Sequence, residues 1–394
     1  MKLILLLLVL NSAFAVTWTD HLVRAKGRTV SIALWGGSEN INNWFDTFVK
    51  DQLKEKYNIT LERIPLSDTQ IAIQKLLKEK KRNRLKGSID LLWVNGENFK
   101  TMKDKKLTWK SYLGDLPSSK YLDLESSAIK LDFGVDHGGH ESPWGSAQMV
   151  FIYDSAKVSK VPTTISGLKK WIMANPGRFT YSSPPDFTGS AFVRQTFMNL
   201  ISKDDYKNLQ SDFNKNLFNS KTNVLWDFLR DIKPSLYRKG KYYPESVSKL
   251  HTLFSDGKTW ITMDYYPTTA QRMIDKGVFP KTTKTFILEE GSLSNTHFLS
   301  VPFNSPEKSA ALVAANFLLS PEAQASKLDP NNWGDFTVLS LDKLSKSDKK
   351  IFDNTKLGDA TLSLEELNDQ KVGELQSKYV PLMEKLWNKN ILNK

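Results

Sequence analysis

Apolar and polar positions follow two different periods along the chain, and the switch between them recurs. In TVSIALW (Thr29–Trp35), Val30, Ile32 and Leu34 share one face at period two, which predicts a half-buried strand. The next segment sets Trp44, Phe45, Phe48, Val49 and Leu53 on one helical face, with Asn40 or Asn42 as the N-cap. ITLERI (Ile59–Ile64) predicts a second strand, and a helix follows from about Asp68. IDLLWV (Ile89–Val94) is a continuous apolar run of the kind buried on both faces of a parallel sheet. This β-α-β-α-β order predicts an α/β domain with its ligand crevice at the carboxyl ends of the strands. Three such ends carry small polar groups: Trp35-Gly36-Gly37-Ser38, Leu66-Ser67-Asp68 and Trp93-Val94-Asn95-Gly96.

The pattern restarts after SAQMVFIYD (Ser146–Asp154), a strong strand. A helix is expected from about Ser166 to Ala174, stopped by Asn175-Pro176-Gly177, and RFTYS reads as a strand. Thr188 can cap a helix running to about Ile201. TWITMDY (Thr259–Tyr265) is a strand, followed by Pro267 in the first turn of a helix that Gly277 ends. THFLSVPF (Thr296–Phe303) is a further strand, and the helix after it has Ser305 as cap and Pro306 at its first position. Near the C-terminus, Ser363 and Glu366 have the spacing of a capping box. Two α/β domains are therefore expected.

Length supports the same division, since 394 residues exceed one ordinary core. The first fifteen residues read as an export signal: Lys2, then the apolar run Leu3–Leu10, then Ala13-Phe14-Ala15 before a mature start at Val16. Eight apolar residues are too few to span a bilayer. The chain has no cysteine, which excludes disulfides, thiol catalysis, cysteine-ligated metals and a lipid-bearing cysteine after the signal. A soluble, non-lipidated, exported protein is expected. The net charge of +12 comes mostly from scattered lysines, and the densest run, KEKKRNR (Lys78–Arg84), ends a predicted helix where cations suit the dipole. Nucleic acid is not expected as a partner.

Six tryptophans lie near presumed strand ends or caps: Trp35, Trp93, Trp144, Trp226, Trp260 and Trp333. Each could stack on a planar or cationic ligand or simply pack in a core. In SPPDFTGSAF, Asp186, Thr188, Gly189 and Ser190 surround a helix start that could hold an anion or polar atom, or be a plain cap. In MDYYP, Asp264 could pair with a cation while Tyr265 or Tyr266 stacks; two phenols also admit ferric ion. His137 and His140 in DHGGHES sit in a glycine loop without a third histidine nearby, so no metal site is expected. No nucleophile elbow, P-loop, zinc-hydrolase motif or dinucleotide fingerprint is present, so neither catalysis nor a cofactor is expected. The contrary reading is a secreted carbohydrate-active enzyme pairing two of Glu39, Glu97, Asp186 and Asp264 across a cleft.

Five stretches in order, WGGSENINNW, ESPWGSAQMVFIYDSAKV, NPGRFTYSSPPDFTGSAFVRQ, MDYYPTTAQRMIDKGVFP and SVPFNSPEKSAALVAANFLLSPEAQA, resemble the periplasmic solute-binding proteins of ATP-driven (ABC) importers. The likeness runs to about residue 345 and is nearest the YnjB-type branch, grouped with thiamine, polyamine and iron(III) binders. It implies a type II fold: two α/β lobes joined by two hinge crossovers, one solute in the cleft, and a monomer delivering it to a permease with its ATPase. The implied lobes are 16–147 with 293–345, and 148–292; the helical segment 346–394 is assigned to neither. Carried over by position, the resemblance implies ligand contacts from Trp35, Gly36, Gly37, Ser38, Trp93, Asn95, Trp144, Ser146, Asp186, Thr188, Gly189, Ser190, Asp264, Tyr265 and Tyr266. The expected ligand is a small nitrogenous cation such as thiamine or a phosphorylated relative, with ferric ion the alternative.

Overall fold

The computed structural model describes residues 16–211 and 213–392. The segment read as an export signal lies outside them. The first sheet is built from β1 (Thr29–Trp35), β2 (Thr60–Leu66), β3 (Leu91–Val94), β4 (Glu141–Gln148), a long β8 (Ser292–Ser300) and a short β9 (Lys371–Gly373), in the order β9-β8-β3-β1-β2 with β4 also on β8. β1 runs parallel to β2 and β3, so all three point their carboxyl ends the same way. β8 is antiparallel to β3 and β4. The second sheet has β5 (Val150–Asp154) at its centre, antiparallel to β6 (Ile261–Asp264) and β7 (Thr283–Phe286).

Two large cores divide between the sheets, the first also taking in Val150 and Ile152 from one face of β5. Val30, Ile32, Leu34, Trp44, Phe45, Trp93, Trp144 and Leu312 belong to the first; Phe151, Ile172, Phe192, Phe197, Leu229, Ile261 and Met263 belong to the second. The chain passes between them at Met149, where β4 gives way to β5, and returns along β8, whose Leu293 lies in the second core and Leu299 in the first. It then crosses a third time after the helix Lys346–Asp353, since Ala360 accepts from Thr285 Oγ1 at 2.6 Å and donates its N–H to Gln271 at 3.2 Å before β9 is reached. Phe352 packs on the first core, whereas Leu375, Tyr379, Met383, Trp387 and Ile391 pack in the second. The final stretch thus joins both bodies, and its amphipathic helix Tyr379–Trp387 completes the second core.

Several local expectations change for identifiable reasons. The helix after β1 is capped by Ser38, not by Asn40 or Asn42: Ile41 N–H reaches Ser38 Oγ at 3.5 Å, and Asn42 instead donates to the Gly36 carbonyl at 2.9 Å. RFTYS forms no strand. Phe179 and Tyr181 are fully buried, but the backbone partners here are loops, with Tyr237 N–H on Phe179 O at 2.8 Å and Trp260 N–H on Arg178 O at 2.9 Å. Asp186, not Thr188, caps the helix Phe187–Leu200. Ser305 does not cap the helix Lys308–Leu318, because its hydroxyl turns to Asp90 at 2.7 Å. The strand expected at Thr296–Phe303 is β8, which begins four residues earlier and stops at Ser300. The capping box forms as expected: Glu366 accepts from Ser363 N–H at 2.9 Å, and Ser363 Oγ accepts from Glu366 N–H at 3.2 Å.

Candidate functional site

Because β1, β2 and β3 are parallel, the junctions after them crowd one edge of the first body. At the first, Trp35 remains 40% exposed, and its indole folds across Gly37, where any Cβ would overlap the ring. Gly36 donates its N–H to the Leu66 carbonyl at 2.9 Å, which ties this loop to the end of β2. The glycines are needed for these two close approaches. After β2, Asp68 caps the helix Thr69–Lys81 by accepting from Gln70 N–H at 2.7 Å. After β3, Asn95 accepts from Trp93 Nε1 at 2.9 Å and donates to the Thr296 carbonyl at 2.6 Å, so it fastens β3 to β8. Glu97 then opens the helix Glu97–Asp104.

Trp93 and Trp144 are buried, and with Trp333 they form an aromatic cluster: Trp93 meets Trp144 edge-on at 5.3 Å, and Trp144 lies 5.2 Å from Trp333. Their place in this structure is packing. The cluster encloses a buried ion pair, Lys327 Nζ to Asp335 Oδ2 at 2.5 Å, with His297 Nε2 3.1 Å from Asp335 Oδ1 and the imidazole stacked on Trp333. Burial pulls the Lys327 ammonium below its usual range while Asp335 acts against that. Ser146 exchanges backbone bonds with Phe336 and is also buried.

In the second body Asp186 is saturated. Its Oδ1 accepts from Gly189 N–H at 2.9 Å and from Ser182 Oγ at 2.5 Å, and its Oδ2 accepts from Val247 N–H at 3.2 Å. Thr188 is buried, and a Cβ on Gly189 would strike the Ser182 carbonyl. A carboxylate thus already occupies the helix start that was to receive an anion. Phe187, the first residue of that helix, is half exposed and meets Tyr265 edge-on at 5.1 Å. Asp264 is spent on the turn, accepting from the N–H groups of Tyr265 at 2.6 Å and Tyr266 at 3.0 Å. Tyr265 is buried with its hydroxyl on Glu374 at 2.8 Å, and burial pushes its phenol well above the usual range. Tyr266 lies between the two cores, and burial followed by the carboxylates of Asp335 and Asp264 raises its phenol too. Among the described residues no group of three His, Cys, Asp or Glu side chains could hold a metal ion. His137 and His140 are spent on loop contacts to Ile129 O, Gly139 N–H and Thr108 Oγ1.

A second buried polar network lies where β9 meets the second body. Arg194 makes a two-pronged pair with Glu374 at 2.8 and 2.9 Å and donates to Ser190 Oγ at 2.7 Å; Ser190 donates on to Glu384 at 2.6 Å. Glu384 brings this network to the facing body. Crowding raises the carboxyl of Glu97, and repulsion from Glu384 and then Asp68 raises it further. Glu97 and Asp68 come from the first body and Glu384 from the second, and none of the three makes an ion pair among the described residues. The aromatic rings left accessible in these loops are Trp35 and Phe187. A separate cavity of about 530 Å³ lies beside the crossovers, lined in part by Asn295, Thr296, Gly373 and Glu374; none of the fifteen residues implied by the resemblance lines it. The strand-end cleft is where unpaired charge from both bodies converges, and we take that convergence as the stronger mark of a site.

Two α/β bodies, three passages between them and polar strand ends facing the gap form the architecture of a two-lobed binding protein. Residues 49–342 match the family described as bacterial extracellular solute-binding protein. The chain belongs to that family. It is 38% identical over 328 residues to protein YnjB of Escherichia coli strain K12, covering 83% of this chain and 84% of that one. Among solved structures, the spermidine/putrescine ABC transporter substrate-binding protein PotD from Streptococcus pneumoniae is similar with a TM-score of 0.62 at 12% identity, covering 93% of this chain and 99% of that chain. The apo ferric ion-binding protein A of Pasteurella haemolytica is similar with a TM-score of 0.61 at 13% identity, covering 93% and 98%. Likeness at such identity fixes the two-lobed fold and leaves the cargo open. The protein is a solute binder and not an enzyme, and no helix among the described residues is long and apolar enough to cross a membrane.

Of the residues that carry the reading below, Glu384 was missed by sequence reasoning. It lies in the last fifty residues, which match no motif, and only the amphipathic period of Tyr379–Trp387 hints that its helix is docked.

Proposed function

We propose that this protein is the solute-binding component of an ABC importer and that its cargo is a small organic nitrogenous cation, handed to an inner-membrane permease by a monomer. The observation that carries the cation is the set of carboxylates without ion pairs, Glu97 and Asp68 on one lobe and Glu384 on the other, together with the accessible rings of Trp35 and Phe187. Burial is the main cause of the raised Glu97 carboxyl, but a cation between the lobes offsets the repulsion that adds to it, and the rings add a cation–π surface. Closure is thereby favoured only when cargo is present. Asp186 at the start of Phe187–Leu200 repels a phosphate, so an unphosphorylated cation of the thiamine or polyamine type fits better than a phosphorylated one. The chain that closes this cleft is read as 16–147 with 293–353 on one side, and 148–292 with 374–392 on the other.

Native mass spectrometry of protein purified from its own periplasm should show a bound cationic small molecule. In titrations with thiamine and with spermidine followed by tryptophan fluorescence, Glu97→Gln and Glu384→Gln should each weaken the preferred cation about tenfold. Affinity should also fall as pH drops, and the fall should begin above the ordinary carboxylate range because the Glu97 carboxyl is raised. A neutral sugar in the cleft, or affinities unchanged in both variants, would overturn the cation reading.

A further inference from the structure

The basic run that the cargo site leaves unused has a specific arrangement. From Thr69 to Ile89 the chain carries Lys75, Lys78, Lys80, Lys81, Arg82, Arg84 and Lys86 against a single carboxylate, Glu79. Seven cations less one anion give +6, half of the +12 of the whole chain, in one helix and the loop after it. Glu79 does not neutralise the surface, because it is buried and turned inward to accept from Asn304 Nδ2 at 2.8 Å. None of the seven cations makes an ion pair among the described residues.

The loop is also held in shape. Arg84 N–H donates to Glu79 O at 2.9 Å, Asn83 takes a left-handed conformation at φ 51°, and Gly87 N–H donates to Asn304 O at 2.7 Å. Residues 81–86 are consequently all exposed, and at the tip Leu85 is 86% exposed between Arg84 and Lys86. Lys80 extends the patch by donating to the carbonyls of Lys105 and Lys106, both at 2.7 Å, which brings those two exposed lysines alongside. A solvated charged face explains the cations. It does not explain a bare leucine presented at the tip of a tethered cationic loop.

We propose that this tip docks the protein on an anionic phospholipid surface, the cations against the headgroups and Leu85 entering the acyl boundary. Charge complementarity provides the attraction, since each basic residue near an anionic leaflet adds about fivefold to partitioning. The single apolar side chain adds depth without anchoring the protein permanently, so docking is weak, reversible and screened by salt. It concentrates the binding protein at the membrane in which a permease would reside and leaves the cleft free. An acidic protein surface would use the cations equally well but has no use for Leu85.

The test is co-sedimentation of the mature chain with vesicles of phosphatidylcholine alone and of phosphatidylcholine with phosphatidylglycerol at about 3:1. Binding is expected to the anionic vesicles only, to fall at least tenfold in K81E/R82E, and to disappear at high salt. Because the chain has no cysteine, L85C labelled with an environment-sensitive dye reports the tip alone, and its emission should rise on the anionic vesicles. All three positions are exposed, so the fold and cargo binding serve as internal controls. Absence of binding at low salt, binding unchanged in K81E/R82E, or a dye that stays silent while polyglutamate competes fully would each overturn the proposal, the last by showing a surface for acidic polymers rather than lipid.

Discussion

Replacing Asp335 by Asn is expected to cost about 3–5 kcal/mol of stability, a loss typical of breaking one side of a buried ion pair. Lys327 and Asp335 are both fully buried, and the ammonium's remaining bond is to the Phe336 carbonyl at 3.0 Å. Without the carboxylate, a desolvated cation stays among Trp144, Trp333 and His297 with no counter-charge. The pair also fixes geometry. Gly145 on β4 lies so close to it that a Cβ would overlap the Asp335 carboxylate, and His297 on β8 bonds the other oxygen. Asp335 therefore gathers the outgoing and returning crossovers at one point, and its loss should loosen lobe closure as well as the fold. Urea unfolding of the wild type, D335N and the double variant K327M/D335L checks this. D335N should be much the worst, and the double variant should recover most of the loss because it leaves no charge behind. A D335N protein within about 1 kcal/mol of wild type would refute the assignment.

What could be read beforehand divides along a physical line. Strand and helix periods are local, so β1, β2, β3 and the helices after β1 and β2 follow from spacing alone. RFTYS failed because its alternation describes burial, and burial is equally satisfied by a loop whose partners lie at Tyr237 and Trp260. Residue types at strand ends also singled out one edge of the molecule, where the junctions after β1, β2 and β3 gather. Their roles could not be read, because Asn95, Asp186 and Asp264 spend their polar atoms on the backbone, and only the folded chain shows which groups are spent. Glu384 marks the opposite case: nothing in its neighbourhood in sequence distinguishes it from other surface glutamates, and it matters because a third crossover carries its helix to the far lobe. The C-terminal segment, mute as a motif, is a structural part of the second core.

The second large effect concerns pH and lies behind the loop after β3, at the wall of the cavity of about 530 Å³. Asp132 is 1% exposed; its Oδ2 accepts from Gly96 N–H at 2.7 Å, and its Oδ1 has no partner. Burial pushes its carboxyl up to about 8, and the Gly96 amide only partly offsets this. Glu141 is fully buried with neither oxygen bonded, and burial, with Asp132 second, raises it well above its usual range; Lys103 is the opposing charge. For a carboxyl raised on folding, the native state holds its proton more tightly than the unfolded chain does. Its stabilising contribution is therefore complete below about pH 4 and is lost as pH rises through about 8. Asp132→Asn keeps an acceptor for Gly96 and removes the titration. Wild-type stability should decline between pH 5 and pH 8 by about 2–3 kcal/mol more than that of D132N, less than the full shift implies because water entry relaxes a buried charge. At pH 8 the variant should be the more stable protein, and at pH 5 the two should be nearly equal. Urea unfolding at the two pH values decides it, and parallel pH profiles would show that Asp132 is ionised throughout. Gly96 stands between Asn95 and Glu97, so the same titration reaches the cleft. Losing the Asp132 proton strengthens the bond that holds this loop while placing a further negative charge behind Glu97, and cation affinity in D132N should rise less steeply above pH 7 than in the wild type.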